Sequence, residues 1–276
     1  MKSMIDRFTR PHAMALLIGA VLGSTVSAGM AASSAQVSGR VDPASPAEAI
    51  SGVEPLGVVP EWIENFDTYA SGSQIHGQGG WKGWGNAASA GALVSSAQST
   101  SAPNAIAIVG ATDLVREFSG YTDGVYVMSA RQFVPTGFSG ESYFIVQNRY
   151  QDAMTDLSWS TQVVFDSADS VVKNFDDPTF GGANPGSQPL VTGQWSDLLL
   201  VIDLDSDRQA FYYNGAVVFS GSWTAQYPVN PPNTAGTLTI GAIDLFANNA
   251  SVVYYDDIAI RPDRIFSNGF EAGDLP

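Results

Sequence analysis

Four glutamates, Glu61, Glu64, Glu117 and Glu141, are all that the chain offers between positions 61 and 261. None has a carboxylate two residues away, the spacing that puts a pair on one face of a strand. Hydrolysis of a glycosidic bond works through two carboxyl groups set across it, one protonated and one ionised. Such chemistry on a glutamate pair within one strand is therefore not expected. Glu141 lies in Gly137-Phe138-Ser139-Gly140-Glu141, where a solvated loop carboxylate is the plain expectation. Asp203-Leu204-Asp205-Ser206-Asp207 starts like a calcium loop, but Arg208 stands where that loop needs glycine and Asn214 where it needs glutamate. Those aspartates instead favour a turn, by bonding their own backbone.

A different chemistry is legible in Tyr143-Phe144-Ile145-Val146-Gln147-Asn148-Arg149-Tyr150. Period two puts Tyr143, Ile145, Gln147 and Arg149 on one face of this strand and Phe144, Val146, Asn148 and Tyr150 on the other. Planar amides and guanidinium forks suit hydroxyl-rich ligands, and an aromatic face can stack on the apolar face of a pyranose. The first face is expected to floor a groove for a neutral or weakly charged glycan. Neighbouring strands would add Arg131, and Ser160 with Gln162, while Val163 and Phe165 enter the core. Trp81, Trp84 and Trp159 are the candidate stacking rings, Trp84 and Trp159 the favoured ones; core or lid positions are the competing reading for any tryptophan in a β-sandwich.

These residues need elements to carry them. Gly193 to Ser222 holds an apolar run, Leu198 to Leu204, then the aspartate turn, a second run, Gln209 to Tyr213, the pair Asn214-Gly215, and Ala216 to Phe219. Asn-Gly is the pair best suited to a two-residue type I′ hairpin. Further strands are predicted at Glu61 to Asp67, Ala105 to Val109, Leu114 to Phe118, Val125 to Val134, Tyr143 to Tyr150, Ser158 to Asp166, Val171 to Phe175, Thr237 to Ile243 and Val252 to Ile260. Nearly every join contains Gly, Pro, Asn or Asp, and no long amphipathic helix is visible. The fold class expected is all-β, a two-sheet antiparallel sandwich or barrel.

Lys2, Arg7 and Arg10, the apolar run Ala13 to Val26 and the small residues Val26-Ser27-Ala28 read as a secretory signal peptide over 1–32. The run is too short for a spanning helix, which needs roughly twenty apolar residues. Losing Lys2, Asp6, Arg7 and Arg10 leaves 26 acidic against 9 basic residues, a net charge of −17. Phosphate binding depends on Lys and Arg, so nucleic acid is not an expected partner, and polyanionic sugars are disfavoured. The chain has no cysteine, so the exported protein must hold together without disulfides. Residues 33–60, with Pro43, Pro46, Pro55 and Pro60, read as a flexible Pro/Ala/Ser linker. A single domain over 61–262, expected to be a monomer, and a tail over 263–276 complete the division.

GQWSDLLLVIDLDSDRQAFYYNGAVVF resembles the strand, turn, strand, Asn-Gly, strand signature of laminin G-like jelly rolls. VVYYDDIAI is similar to the closing strand of concanavalin A-like sandwiches, and ENFDTYASGSQIHGQGGWKGW to the first-strand region of bacterial exported members of that superfamily. The resemblance covers about Glu61 to Arg261. It implies two curved sheets, a concave face used for carbohydrate, and first and last strands side by side. It also implies a structural Ca²⁺ between those strands, with Glu64 and Asp67 at one end and Asp256 or Asp257 at the other; hard oxygen donors suit that ion. Gln74-Ile75-His76 matches a short element of one alginate-lyase family, without the Arg-x-Glu-x-x-Arg-like motif that precedes it there. The ending Phe266-Ser267-Asn268-Gly269-Phe270-Glu271 resembles one found on exported proteobacterial proteins, so a secreted, periplasmic or surface location in a Gram-negative bacterium is expected.

This architecture specifies activity poorly, and three readings follow. The first is a non-catalytic lectin-like module. The second is a polysaccharide lyase, with Tyr143 or His76 as base, or another glycan-active enzyme. The third is an adhesive module, whose concave face would be filled by apolar side chains or covered by a loop.

Overall fold

A computed structural model describes residues 61–175, 186–224, 227–229 and 236–263. The expected signal peptide, linker and tail sequence Phe266 to Glu271 lie outside the described residues. Among the described residues sixteen strands, numbered in chain order, form two antiparallel sheets. Sheet A runs β13 (Ala216–Gly221), β12 (Arg208–Tyr213), β11 (Trp195–Asp203), β6 (Val125–Phe133), β16 (Val253–Pro262), β4 (Ala105–Ile108) and β3 (Leu93–Ser95), with β1 (Trp62–Glu64) also on β16. Sheet B runs β10 (Ser187–Pro189), β9 (Val171–Asn174), β8 (Leu157–Asp166), β7 (Glu141–Arg149), β15 (Ala242–Phe246), β5 (Asp113–Glu117) and β2 (Trp81–Gly83), with β14 (Tyr227–Val229) also on β8. The fold is an all-β two-sheet antiparallel jelly-roll sandwich, and first and last strands pair as expected, Trp62 opposite Ile260.

The hairpin forms where its residues allow. Asn214 and Gly215 both take positive φ, 50° and 78°, as a type I′ turn requires. Alternation then places Leu198, Leu200 and Ile202 of β11, Tyr126, Met128 and Ala130 of β6, and Phe144 and Val146 of β7 in one buried core between the sheets. Val163 and Phe165 of β8 join them. A polar bridge crosses this core: Thr161 of sheet B donates to Gln209 Oε1 of sheet A at 2.6 Å. Buried hydroxyl and amide groups are tolerated there because they satisfy one another.

Two expectations need correction. The strand predicted over Thr237 to Ile243 lies instead at Ala242–Phe246, because Thr237 and Thr239 spend their hydroxyls on Asn148. Arg131 does not neighbour Gln147. The segment from Val134 to Gly140 turns the chain from sheet A to sheet B, so β6 and β7 belong to different layers, and Arg131 forms an ion pair with Asp197 on the outer face of sheet A.

Candidate functional site

The outer face of sheet B, turned away from sheet A, collects the remaining sugar-site residues. Cross-strand register resolves it into three rows. The first is Lys173, Val164, Tyr143, Phe246 and Asp113, on β9, β8, β7, β15 and β5. The second is Gln162, Ile145, Asp244, Val115 and Lys82, on β8, β7, β15, β5 and β2. The third is Trp159, Gln147, Ala242 and Glu117. Residues opposite one another in a ladder point to the same face, so these are surfaces rather than lists of neighbours.

A double irregularity builds the third row. Pairing runs Val146 to Thr161, then Gln147 to Trp159, then Arg149 to Ser158. Ser160 on β8 and Asn148 on β7 are each left over, and Asn148 Nδ2 donates to Ser160 Oγ at 2.8 Å. Bulges re-aim side chains and gather beside active sites. Here the extra residue brings Trp159 to the outer face beside Gln147, whereas unbroken alternation from Val163 would send it into the core.

The face is not open. Trp84, Trp159, Tyr143, Ile145, Tyr150, Leu157, Val115 and Phe246 belong to a second buried cluster, with Met154 and Phe175 against it. Two segments cover it. Gly83 lets the first descend, since a Cβ there would strike the Ala87 carbonyl, and two 3₁₀ turns, Trp84–Asn86 and Ala88–Ala90, follow. The second segment is the turn from Tyr150 to Asp156. Trp84 stacks on Trp159 at 5.9 Å and meets Tyr150 edge-on at 5.1 Å. The Gly85 amide donates to Tyr150 Oη at 2.9 Å, and Trp84 Nε1 to Met154 Sδ at 2.9 Å. Lys82 ties the segments to the sheet by pairing with Glu117 of β5 and, at 2.7 Å, with Asp152. Burial works against the lysine charge, but hydrogen bonds to Asp152 and Glu117 outweigh it and hold its pKa above the usual value.

Trp84 and Trp159 are thus lid and floor of one stack, 4% and 1% exposed, rather than the free platforms expected from sequence. Gln147 is fully buried, and among the described residues neither atom of its amide has a hydrogen-bond partner. Gln162 is buried in the adjacent row. Arg149 reaches to 3.4 Å from Asp156 of the covering turn. Tyr143 donates to Glu141 Oε2 at 2.7 Å; burial, then that carboxylate, push its pKa far above the usual phenol value. A phenol held so firmly protonated is a poor base. His76 accepts from the Gly83 amide through Nδ1 at 3.1 Å, which gives it a part in setting the first covering segment.

Two carboxylates were missed. Asp244 is fully buried and Asp113 6% exposed, on the same face and diagonal across β15 and β5, since Asp113 pairs with Phe246. Diagonal neighbours lie about 7–8 Å apart. The signal was present in Ala242-Ile243-Asp244-Leu245-Phe246, whose alternation puts Asp244 opposite the core-facing Ile243 and Leu245.

Among the described residues no three His, Cys, Asp or Glu side chains gather as a metal group. The four residues expected to hold Ca²⁺ accept hydrogen bonds from the protein. Glu64 accepts from the Phe66 amide at 2.9 Å, Tyr69 Oη at 2.8 Å and Trp81 Nε1 at 3.2 Å. Asp67 accepts from Asn104 and Asn65. Asp256 accepts from the Thr100 and Ser101 amides at 2.7 and 3.1 Å, and Asp257 from Ser101 Oγ at 2.8 Å. Glu64 and Asp67 thus tie Phe66, Tyr69, Trp81 and Asn104 to the start of the domain, and Asp256 and Asp257 tie Thr100 and Ser101 to the last strand.

No protein-family model matches the chain, and no curated protein does. Among solved structures, the T. cruzi calreticulin globular domain is 12% identical, with 75% of this chain and 89% of that one covered, at a TM-score of 0.49. Cellulose induced protein, Cip1, is 12% identical over 72% of this chain and 96% of its own, at 0.43. Carbohydrate binding module CBM66 from Bacillus subtilis is 11% identical over 69% and 96%, at 0.38. Similarity at this level leaves activity to this chain's own side chains.

Proposed function

We propose that the protein is an exported glycan-binding module, its domain spanning 61–262, that takes a neutral or weakly charged sugar chain on the outer face of sheet B. The unpartnered Gln147 amide carries this reading. A buried polar group without a partner costs about 1–3 kcal/mol, so a fold that keeps one beside an aromatic ring holds a hydrogen-bonding group in reserve. A sugar hydroxyl can serve both amide atoms as donor and acceptor. Gln162 and Asp244 add acceptors in the next row, and Arg149 lies near Asp156 of the covering turn. Because Gln147 and Trp159 are out of solvent, a ligand reaches them only when Trp84 and the Tyr150 to Asp156 turn swing away. Affinity electrophoresis through neutral polysaccharides tests this: retardation should fall in Gln147→Leu, and equal retardation of that variant refutes the reading.

The Asp113 and Asp244 pair favours a second reading, a glycosidase that inverts configuration. Diagonal positions in a ladder lie about 7–8 Å apart, and carboxyl groups at roughly 6.5–9.5 Å leave room for a water. Release of reducing ends from polysaccharides, lost in Asp244→Asn, would establish it. A lyase is the weaker enzyme reading, because Tyr143 is held protonated.

A further inference from the structure

The other outer face carries a feature that the sugar site does not use. Trp195 of β11 stands directly opposite Phe133 of β6, and Phe133 opposite Tyr254 of β16. Tyr254 stands opposite Ala107 of β4, and Ala107 opposite Leu93 of β3. All five point away from the core, because their strand neighbours Ser196, Gln132, Tyr255, Ile106 and Val94 are the buried ones. The result is an apolar stripe one residue wide, running straight across five strands. At about 4.8 Å per strand it is roughly 19 Å long. Leu93 is 52% exposed, and the three aromatic residues are partly exposed. Ring centroids are 5.6 Å apart between Phe133 and Trp195 and 6.4 Å between Phe133 and Tyr254.

Aromatic contacts between strands stabilise a sheet, which explains a pair of rings but not their continuation through Ala107 to an exposed Leu93. The shape of the stripe narrows what could cover it. A stable interface between copies needs about 800 Å² on each partner, more than a single file of five side chains presents. Two copies would also bring together chains of formal net charge −15 each. Beside the stripe, the Arg131 and Asp197 pair cancels its own charge, so an uncharged, elongated ligand meets no opposition. The rings are inclined to one another by 56° and 60°. They offer successive tilted faces and not one plane, which suits a single polymer chain whose rings turn along its length better than a flat crystalline surface.

We infer that Trp195, Phe133, Tyr254 and Leu93 form a second, independent binding surface on sheet A for a single soluble chain of neutral polysaccharide, lying across the strands. The test is affinity electrophoresis in hydroxyethylcellulose and in galactomannan, with microcrystalline cellulose as the insoluble comparison. Trp195→Ala and Tyr254→Ala should each weaken retardation by about three- to tenfold, with Trp195→Phe recovering part of it. Gln147→Leu should leave this component intact, so a failure of the sheet B site is distinguishable from a failure here. Three results would overturn the inference: no retardation of the wild-type protein by either polymer, unchanged retardation of the Trp195→Ala/Tyr254→Ala double variant, or a loss in that variant fully accounted for by its unfolded fraction. Sedimentation of the wild type as a dimer that the double variant abolishes would also overturn it, by giving the stripe to a second copy.

Discussion

Asn148 and Ser160, the two residues that the β7 and β8 ladder leaves over, are bonded to each other at 2.8 Å. That single contact locks the pair of bulges that sets Gln147 opposite Trp159. Replacing Asn148 by Ala would remove the lock and also the acceptor for Thr237. Loss of a buried side-chain hydrogen-bond partner costs about 1–3 kcal/mol, so denaturant unfolding should show destabilisation of that order.

Gln147→Leu should act in the opposite sense. It removes a buried amide that has no partner among the described residues while keeping similar volume, so stability should rise by about 1 kcal/mol or more. Glycan retardation should fall at the same time. A rise in melting temperature together with loss of binding marks a residue kept for recognition; a fall in melting temperature would assign Gln147 to packing.

The covering segments give a separate prediction. Trp84→Ala strips the ring that lies on Trp159 and should destabilise by about 3–5 kcal/mol, the usual range for a buried aromatic truncated to alanine. Asp152→Asn is gentler. It weakens the tie from Lys82 to the turn and the contact of Asp152 with the Tyr150 hydroxyl, and hydrogen exchange of amides from Gln151 to Asp156 should quicken while the melting temperature stays nearly constant.

Asp256 supplies a pH signature. Burial, partly opposed by the Thr100 amide, pushes its pKa from 3.8 up to about 6. The folded chain therefore binds this proton more tightly than the unfolded chain, and this contribution to stability falls as pH rises from about 4 to about 6. Asp256→Asn, whose carbonyl can still accept from Thr100 and Ser101, should abolish that part of the slope. Melting curves of both proteins across pH 4 to 7 should converge at the acid end and separate in favour of the variant above about 6.

Glu64 separates a protein hub from a metal ligand. Its oxygens hold Phe66, Tyr69 and Trp81, and burial with this carboxylate raises the Tyr69 phenol to about 12. Glu64→Gln puts an amide donor among those donors and should cost about 1–3 kcal/mol. Added calcium or chelator should leave the wild-type melting temperature unchanged.

Much of this fold could be read from alternation and turn chemistry. Asn214-Gly215 announced its hairpin, and Val163 and Phe165 their side of β8, because period two is a local property of the chain. Layer assignment is not local. Arg131 and Gln147 are separated by one turn in sequence, yet that turn passes from one sheet to the other, and nothing in Val134 to Gly140 distinguishes such a passage from a hairpin. Bulges hide for the same reason: alternation through Thr161 predicts the wrong side for Trp159, since the extra residue shows only in the pairing. Asp244 and Asp113 are not legible in the same way, because the expected strands Thr237 to Ile243 and Leu114 to Phe118 stop or start one residue short of them.

The neighbourhood of Trp62 and Ile260 has a mechanical meaning. Since β1 and β16 run antiparallel and end together at this pair, the polypeptide enters and leaves the domain at one corner. Tension applied through whatever flanks it would not shear the ladder all at once. It would peel β1 from β16 one hydrogen bond after another, starting at Trp62, and the load would reach the hydrogen bonds around Glu64 before it reached the outer face of sheet B.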